Sequence, residues 1–161
     1  NGLVEGETTK TGQDWSIKCC EDSCYGIVKE DGSLYMWGTD NEYGQLGDGT
    51  TEDRYINDDD PVKIMDNVRN IIMGEFKVNG AITKKGEFYI WGDGHLKPVK
   101  IMDNVLAASI SSGLEDERSI VLTRDGRLYT WSADTASSTT AIFVKEIRLI
   151  FPVSSNLFIE P

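Results

Sequence analysis

The sequence predicts an all-β fold built of tandem units, and three observations predict it. The octapeptide from Pro61 to Val68, PVKIMDNV, recurs letter for letter from Pro98 to Val105. A second motif appears as DGSLYMWG (Asp31 to Gly38), KGEFYIWG (Lys85 to Gly92) and DGRLYTWS (Asp125 to Ser132), at spacings of 54 and 40 residues. Ahead of each copy runs a stretch of strand formers, YGIVKE from Tyr25, NGAITK from Asn79 and SIVLTR from Ser119. Chance does not copy eight residues, so the repeat is the architectural unit. Helix signals are almost absent. A unit of about 40 to 50 residues with several short strands and a glycine-aromatic motif has the dimensions of a propeller blade.

Within each unit the apolar stretch and the aromatic stretch read as two strands joined by a turn. Asp31-Gly32 and Asp125-Gly126 suit a two-residue type I′ hairpin, whose central residues both need positive φ, and Lys85-Gly86 is a weaker version. In the strand after the turn Leu34 and Met36 face one way and Tyr35 and Trp37 the other, and Phe88 and Ile90 oppose Tyr89 and Trp91 in the same manner. A strand apolar on both sides is covered on both sides, so these strands are inner layers of a stack. Trp37, Trp91 and Trp131 hold one fixed place in each unit and read as core rather than as a sugar-binding row. Trp15 also reads as packing. The segments Pro61 to Ile64 and Pro98 to Ile101 read as short edge strands, since proline is tolerated at a strand's start.

These motifs resemble the regulator of chromosome condensation repeat family, whose blade carries a DG hairpin, an aromatic-Trp-Gly strand, a GQLG turn and a proline leading onward. The first unit has them in order: Asp31-Gly32, Tyr35, Trp37-Gly38, Tyr43-Gly44-Gln45-Leu46-Gly47 and Pro61. Between Trp91-Gly92 and Pro98 only DGHLK remains, and SADTASSTTAIFVKEI follows Trp131, so both later units lack the GQLG turn and must build their outer connections differently. The family often places a histidine eight residues before the hairpin glycine, where this chain has Cys24, Val78 and Arg118. The reading is a single repeat domain over 1–161, with units at 13–67, 68–104 and 105–146 and a partial fourth copy at 147–161. About three blades cannot close a large ring. The chain is therefore a piece of a larger propeller that starts and stops mid-blade, or Asn1 to Gly6 pairs with Ile147 to Ile159 to close four blades, or a second chain completes the ring. A first residue Asn1 rather than Met reads as a processed or trimmed product.

Charge narrows the partners. Sixteen Lys and Arg against 27 Asp and Glu give a net charge of −11, which repels phosphate backbones and anionic lipid heads, so nucleic acid is excluded. No apolar run approaches the roughly 20 residues that span a bilayer, so membrane insertion is not expected. Cys19, Cys20 and Cys24 form an odd cluster, read as small buried hydrophobes at strand positions, although a bridge from Cys19 or Cys20 to Cys24 across a tight turn is geometrically conceivable. Zinc lacks a fourth ligand, because the one histidine, His95, is remote. His95 in Asp93-Gly94-His95-Leu96 reads as a solvated loop residue without a triad's oriented partners. With no phosphate loop, GxSxG elbow or HExxH helix, neither an enzyme nor a cofactor is expected.

The segment Asp48 to Asp60, DGTTEDRYINDDD, is the longest excursion from the repeat. It lacks the alternating acids, central glycine and distal Glu of a calcium loop. It reads either as a solvated acidic connection or as a partner surface made of Tyr43, Asp53, Arg54, Tyr55, Asp58, Asp59 and Asp60, in which interface-enriched types sit among acids. Lys77 is expected on the opposite rim. The function this supports is a non-enzymatic scaffold that binds another protein through its loops, with open blade edges as a route to self-association. The resemblance adds two alternatives, because the family includes exchange factors for a small nuclear GTPase and secreted inhibitors of β-lactamases.

Overall fold

The computed structural model describes residues 16–19, 24–55, 57, 60–74, 77–111, 118–132 and 142–146, all of them in strands or connections. Three four-stranded antiparallel sheets follow one another along the chain. The first holds β1 (Ser16–Cys19), β2 (Cys24–Val28), β3 (Leu34–Gly38) and β4 (Val62–Met65). The second holds β5 (Val68–Met73), β6 (Val78–Thr83), β7 (Phe88–Gly92) and β8 (His95–Met102). The third holds β9 (Val105–Ser109), β10 (Arg118–Thr123), β11 (Arg127–Ser132) and β12 (Ile142–Glu146). Strands neighbour one another in chain order within each sheet, the up-and-down plan of a propeller blade. The partial fourth copy at 147–161, like Asn1 to Gly6, lies outside the described residues.

The tryptophan strands occupy one register in all three blades: Trp37 pairs with Tyr25, Trp91 with Asn79 and Trp131 with Ser119. The inner hairpins form where the dipeptides place them, but their geometry is not type I′. Gly32 N–H donates to Lys29 O at 2.8 Å and Gly86 N–H to Thr83 O at 2.9 Å, while Gly32, Gly86 and Gly126 alone turn to φ 91, 90 and 84. Each is thus a type I turn closed by a glycine bulge, because Asp31, Lys85 and Asp125 keep the negative φ that side chains favour. The type I′ turn lies elsewhere, at Asp93 (φ 49) and Gly94 (φ 92), which join β7 to β8. His95 is accordingly the first residue of a strand and half-buried rather than a solvated loop residue. Pro98 sits inside β8 rather than at its start, which is permitted because β8 is an edge strand and its ladder breaks register between Ile90 and Gly92.

The duplicated octapeptide has a geometric reason. Asn67 (φ 60) and Asn104 (φ 62) adopt the left-handed conformation between blades, which asparagine tolerates better than other side chains. Each joint is then stitched twice to its neighbours. Val68 N–H donates to Gly32 O and Val105 N–H to Gly86 O, both at 2.8 Å. Lys84 N–H donates to Asn67 O at 2.7 Å and Arg124 N–H to Asn104 O at 2.8 Å.

Two apolar layers separate the blades. Val28, Leu34 and Met36 of the first blade meet Val68, Ile71, Ala81 and Trp91 of the second. Ile82 and Phe88 of the second meet Val105 and Val121 of the third. In the second blade β6 is buried throughout, and in the strand after the turn, β7, Phe88 and Trp91 are buried while Tyr89 and Ile90 are half-buried, so the inner-layer reading holds there in part. It needs correction for the first, where β2 and β3 alternate buried and half-buried residues because, among the described residues, no blade packs on one face of that sheet. Trp91 is therefore fully buried and Trp37 only half-buried. The Trp131 side chain and Trp15 lie outside what is described. Cys24 is buried, with its sulfur 3.6 Å from Asn79 Nδ2, while Cys20 and the Cys19 side chain are outside the described set.

Candidate protein-binding loop

From Thr39 to Tyr55 the connection between β3 and β4 has its own buried hub. Asn41 is 0% exposed. Its amide donates to Glu52 O at 2.7 Å and Thr50 O at 3.2 Å and accepts from Leu46 N–H at 2.9 Å. Its backbone N–H reaches the Asp53 carboxylate at 3.2 Å. The Gln45 side chain accepts from Tyr43 N–H at 2.9 Å and so closes the Gly-Gln-Leu-Gly turn on itself.

That turn holds the next blade. Gln45 O accepts from Trp91 Nε1 at 2.7 Å and from Asn79 Nδ2 at 2.9 Å. Gly47 lies so close to the Trp91 ring that an added Cβ would stand 2.7 Å from Cδ1. Gly94 N–H donates to Tyr43 O at 3.0 Å and Gly49 N–H to Leu96 O at 2.7 Å, which fixes the loop to the hairpin of the second blade.

Asp48 and Arg54 hold the loop's return. Gly38 and Arg54 exchange backbone hydrogen bonds at 2.9 and 2.7 Å, and the guanidinium reaches Asp48 Oδ2 through Nε and a terminal nitrogen, both at 2.9 Å. The Asp48 side chain is 1% exposed. Burial acts to raise its pKa, but the Thr50 hydroxyl and N–H and the Arg54 guanidinium outweigh that and hold it below the ordinary carboxylate value.

The sequence-predicted surface residues divide accordingly. Tyr43, Asp53 and Arg54 are half-buried and serve the loop's interior, and the Tyr43 ring lies under Lys77 Nζ at 4.0 Å. Lys77 therefore stands beside this loop, not on the opposite rim. Tyr55 is 52% exposed and Asp60 is exposed, while Asp58 and Asp59 lie outside the described residues. Sequence reasoning missed Asn41, Gln45 and Asp48 as the loop's scaffold. Their signal was two amides and a carboxylate in a segment with glycines at 44, 47 and 49, which reads equally well as plain turn chemistry. Among the described residues no three His, Cys, Asp or Glu side chains converge as a metal site.

The family signature of the Regulator of chromosome condensation (RCC1) repeat matches residues 31–76, the span that holds the hairpin, the aromatic strand, the turn and the first octapeptide. The three sheets have the plan of propeller blades, and residues 31–76 are similar to a repeat of that family. Human E3 ubiquitin-protein ligase HERC2 is 27% identical over 131 residues, which cover 70% of this chain and 3% of HERC2. The structure of human WBSCR16 superposes with a TM-score of 0.63 at 15% identity, over 80% of this chain and 37% of that one. Yeast RCC1 (Prp20), solved with Kap60 bound, superposes with a TM-score of 0.54 at 23% identity, over 73% of this chain and 30% of that one. The chain spans a small part of the curated relative and about a third of these two solved propellers.

Proposed function

We propose that the chain is a non-enzymatic propeller scaffold that binds another protein through the outer arc of the loop between β3 and β4. One observation carries this reading: Tyr55 is 52% exposed on a loop whose inner half is fixed by Asn41, Gln45 and Asp48. An aromatic side chain displayed by a rigid loop sacrifices little conformational freedom on binding, and such residues anchor protein interfaces. Asp60 is exposed, and with Asp58 and Asp59 it makes an acidic run in the sequence after Tyr55 that suits a basic rim on the partner. Asp53 and Arg54 tie the base of the arc to Asn41 N–H and to Asp48. That Kap60 is bound to yeast RCC1 is a precedent for a propeller of this type engaging another protein.

The test is affinity capture from the source proteome, followed by binding kinetics with each captured partner for the wild type, Tyr55→Ala and a variant with Asp58, Asp59 and Asp60 changed to Asn. Loss of the tyrosine should shorten the life of the complex, whereas loss of the acids should slow association at low salt and matter little at high salt. A partner retained equally by both variants at every salt concentration would remove the loop from the interface.

A further inference from the structure

The hairpin between β6 and β7 differs from its two counterparts in the sign of its charge. The residue pairs that lead the three turns are Glu30-Asp31, Lys84-Lys85 and Arg124-Asp125, and of these only the middle pair contains no acid. All six residues are exposed. Lys84 lies along the first hairpin, where an added Cβ on Gly32 would stand 3.0 Å from its Cε, and its ammonium donates to Asp31 O at 3.1 Å. Arg124 lies in the same way on the second hairpin: an added Cβ on Gly86 would stand 3.2 Å from its Cζ, and Nη2 donates to Lys84 O at 3.4 Å. The guanidinium is thereby held on the Lys84-Lys85 turn, one cation against another. Both acceptors are neutral carbonyls, which take an N–H and cancel no charge. The ion pairs among the described residues use Arg54, Lys63, Lys100 and Arg127, and none uses Lys84, Lys85 or Arg124. The acids next in sequence to this hairpin and its joint, Glu87 and Asp103, are both held by Lys100, at 3.0 and 2.7 Å.

We propose that Lys84, Lys85 and Arg124 seat a short carboxylate-rich segment of a protein partner, at the end of the strands opposite to the loop that carries Tyr55. β7 starts beside this hairpin and ends at Asp93-Gly94, where that loop is fastened, so the two surfaces lie a strand's length apart. The Arg124 fork matches a carboxylate through the donors that Lys84 O leaves open, and the two ammonium groups add charge without demanding one geometry. The rest of the rim limits the length of the anion. Glu30 and Asp31 on one side and Asp125 on the other repel a uniform polyanion, and the net charge of −11 does so at longer range. A nucleic-acid duplex or an anionic membrane therefore meets more repulsion than attraction, whereas a run of a few carboxylates covers the three cations alone.

Titration of the full chain with acetyl-hexaglutamate-amide, followed by nitrogen-resolved NMR, tests the proposal. At low salt the amides of Lys85 and Gly86 and the Arg124 Nε–H should shift saturably while those of Gly44 and Gly94 stay in place, and high salt should weaken binding by roughly tenfold. Lys85→Asp gives this hairpin the Asp-Gly turn of the other two, so the fold survives, and affinity for hexaglutamate should fall by roughly fivefold or more. Tyr55→Ala should leave the titration unchanged, which separates this surface from the loop. Absence of saturable shifts at Lys85 and Gly86, unaltered affinity in Lys85→Asp, or equal shifts with acetyl-hexalysine-amide would each overturn the proposal. So would tighter binding of a short DNA duplex at the same residues, since the surface would then serve a nucleic acid.

Discussion

Between β3 and β4 the first blade inserts everything from Thr39 to Pro61, whereas between β7 and β8 the second needs only Asp93 and Gly94. The strands around the two connections are nearly the same, down to the octapeptide. What the long connection adds is a cap over the neighbouring tryptophan and an arc that carries Tyr55. What the short one leaves is a plain hairpin, itself used as an anchor for Gly49 and Tyr43. The blade core and its outer connection are thus separable: one sets the repeat, while the other joins blades and displays residues.

The comparison breaks most completely at Trp91. Replacing it with Ala should cost about 3 to 5 kcal/mol by emptying a buried aromatic site, whereas Trp37→Ala on the half-covered face should cost clearly less. Chemical denaturation of both variants checks this, and equal losses would show that the two faces are equally covered. Next comes Asn41→Ala, expected to cost about 1 to 3 kcal/mol because Leu46 N–H and two loop carbonyls lose a buried partner. Gly94→Ala in the short hairpin should cost only about 1 kcal/mol, since its φ is strained for a side chain but nothing lies within 4 Å.

The joints sharpen the comparison by being alike. Asn67→Ala and Asn104→Ala should each cost about 1 kcal/mol, and the corresponding glycine substitutions should cost less, because both asparagines hold the left-handed conformation. Different losses at the two sites would mean that the identical octapeptides carry unequal loads.

The smallest effect is one of pH. The carboxyl of Asp48 is held below its ordinary value in the folded chain. Its stabilisation is therefore fully present above the unfolded pKa of about 4 and is lost as pH falls through the lower folded value. Asp48→Asn should flatten the acid limb of a stability-against-pH curve and leave the neutral limb parallel to wild type.

Much of this was legible in the residues. The hairpins sit where Asp31-Gly32, Lys85-Gly86 and Asp125-Gly126 place them, because glycine next to strand formers fixes a turn's location. The turn type was not legible, since Asp-Gly serves both type I′ and a glycine bulge, and only the strands' stagger decides between them. Trp37 and Trp91 look alike in sequence because burial depends on whether a neighbour covers a face, which a strand's own alternation cannot encode. In the loop, composition signalled an acidic surface, yet Asp48 and Arg54 turned inward to each other; their mutual pairing depends on a path between Gly38 and Arg54 that no local pattern specifies.

The order of strands also sets an order of events during synthesis. Every sheet pairs only strands consecutive in sequence, so each can close soon after its own last strand leaves the ribosome, without waiting for later blades. The Gly-Gln-Leu-Gly turn emerges with the first sheet, ahead of the tryptophan it covers. The hydrogen-bond acceptor is therefore already in place when Trp91 arrives, and the second sheet can bury its largest aromatic as soon as that residue appears. A nascent chain halted shortly after Pro98 emerges should show Trp91 already shielded from aqueous quenchers. Moving the turn to the C-terminal side of its client by circular permutation should delay that shielding.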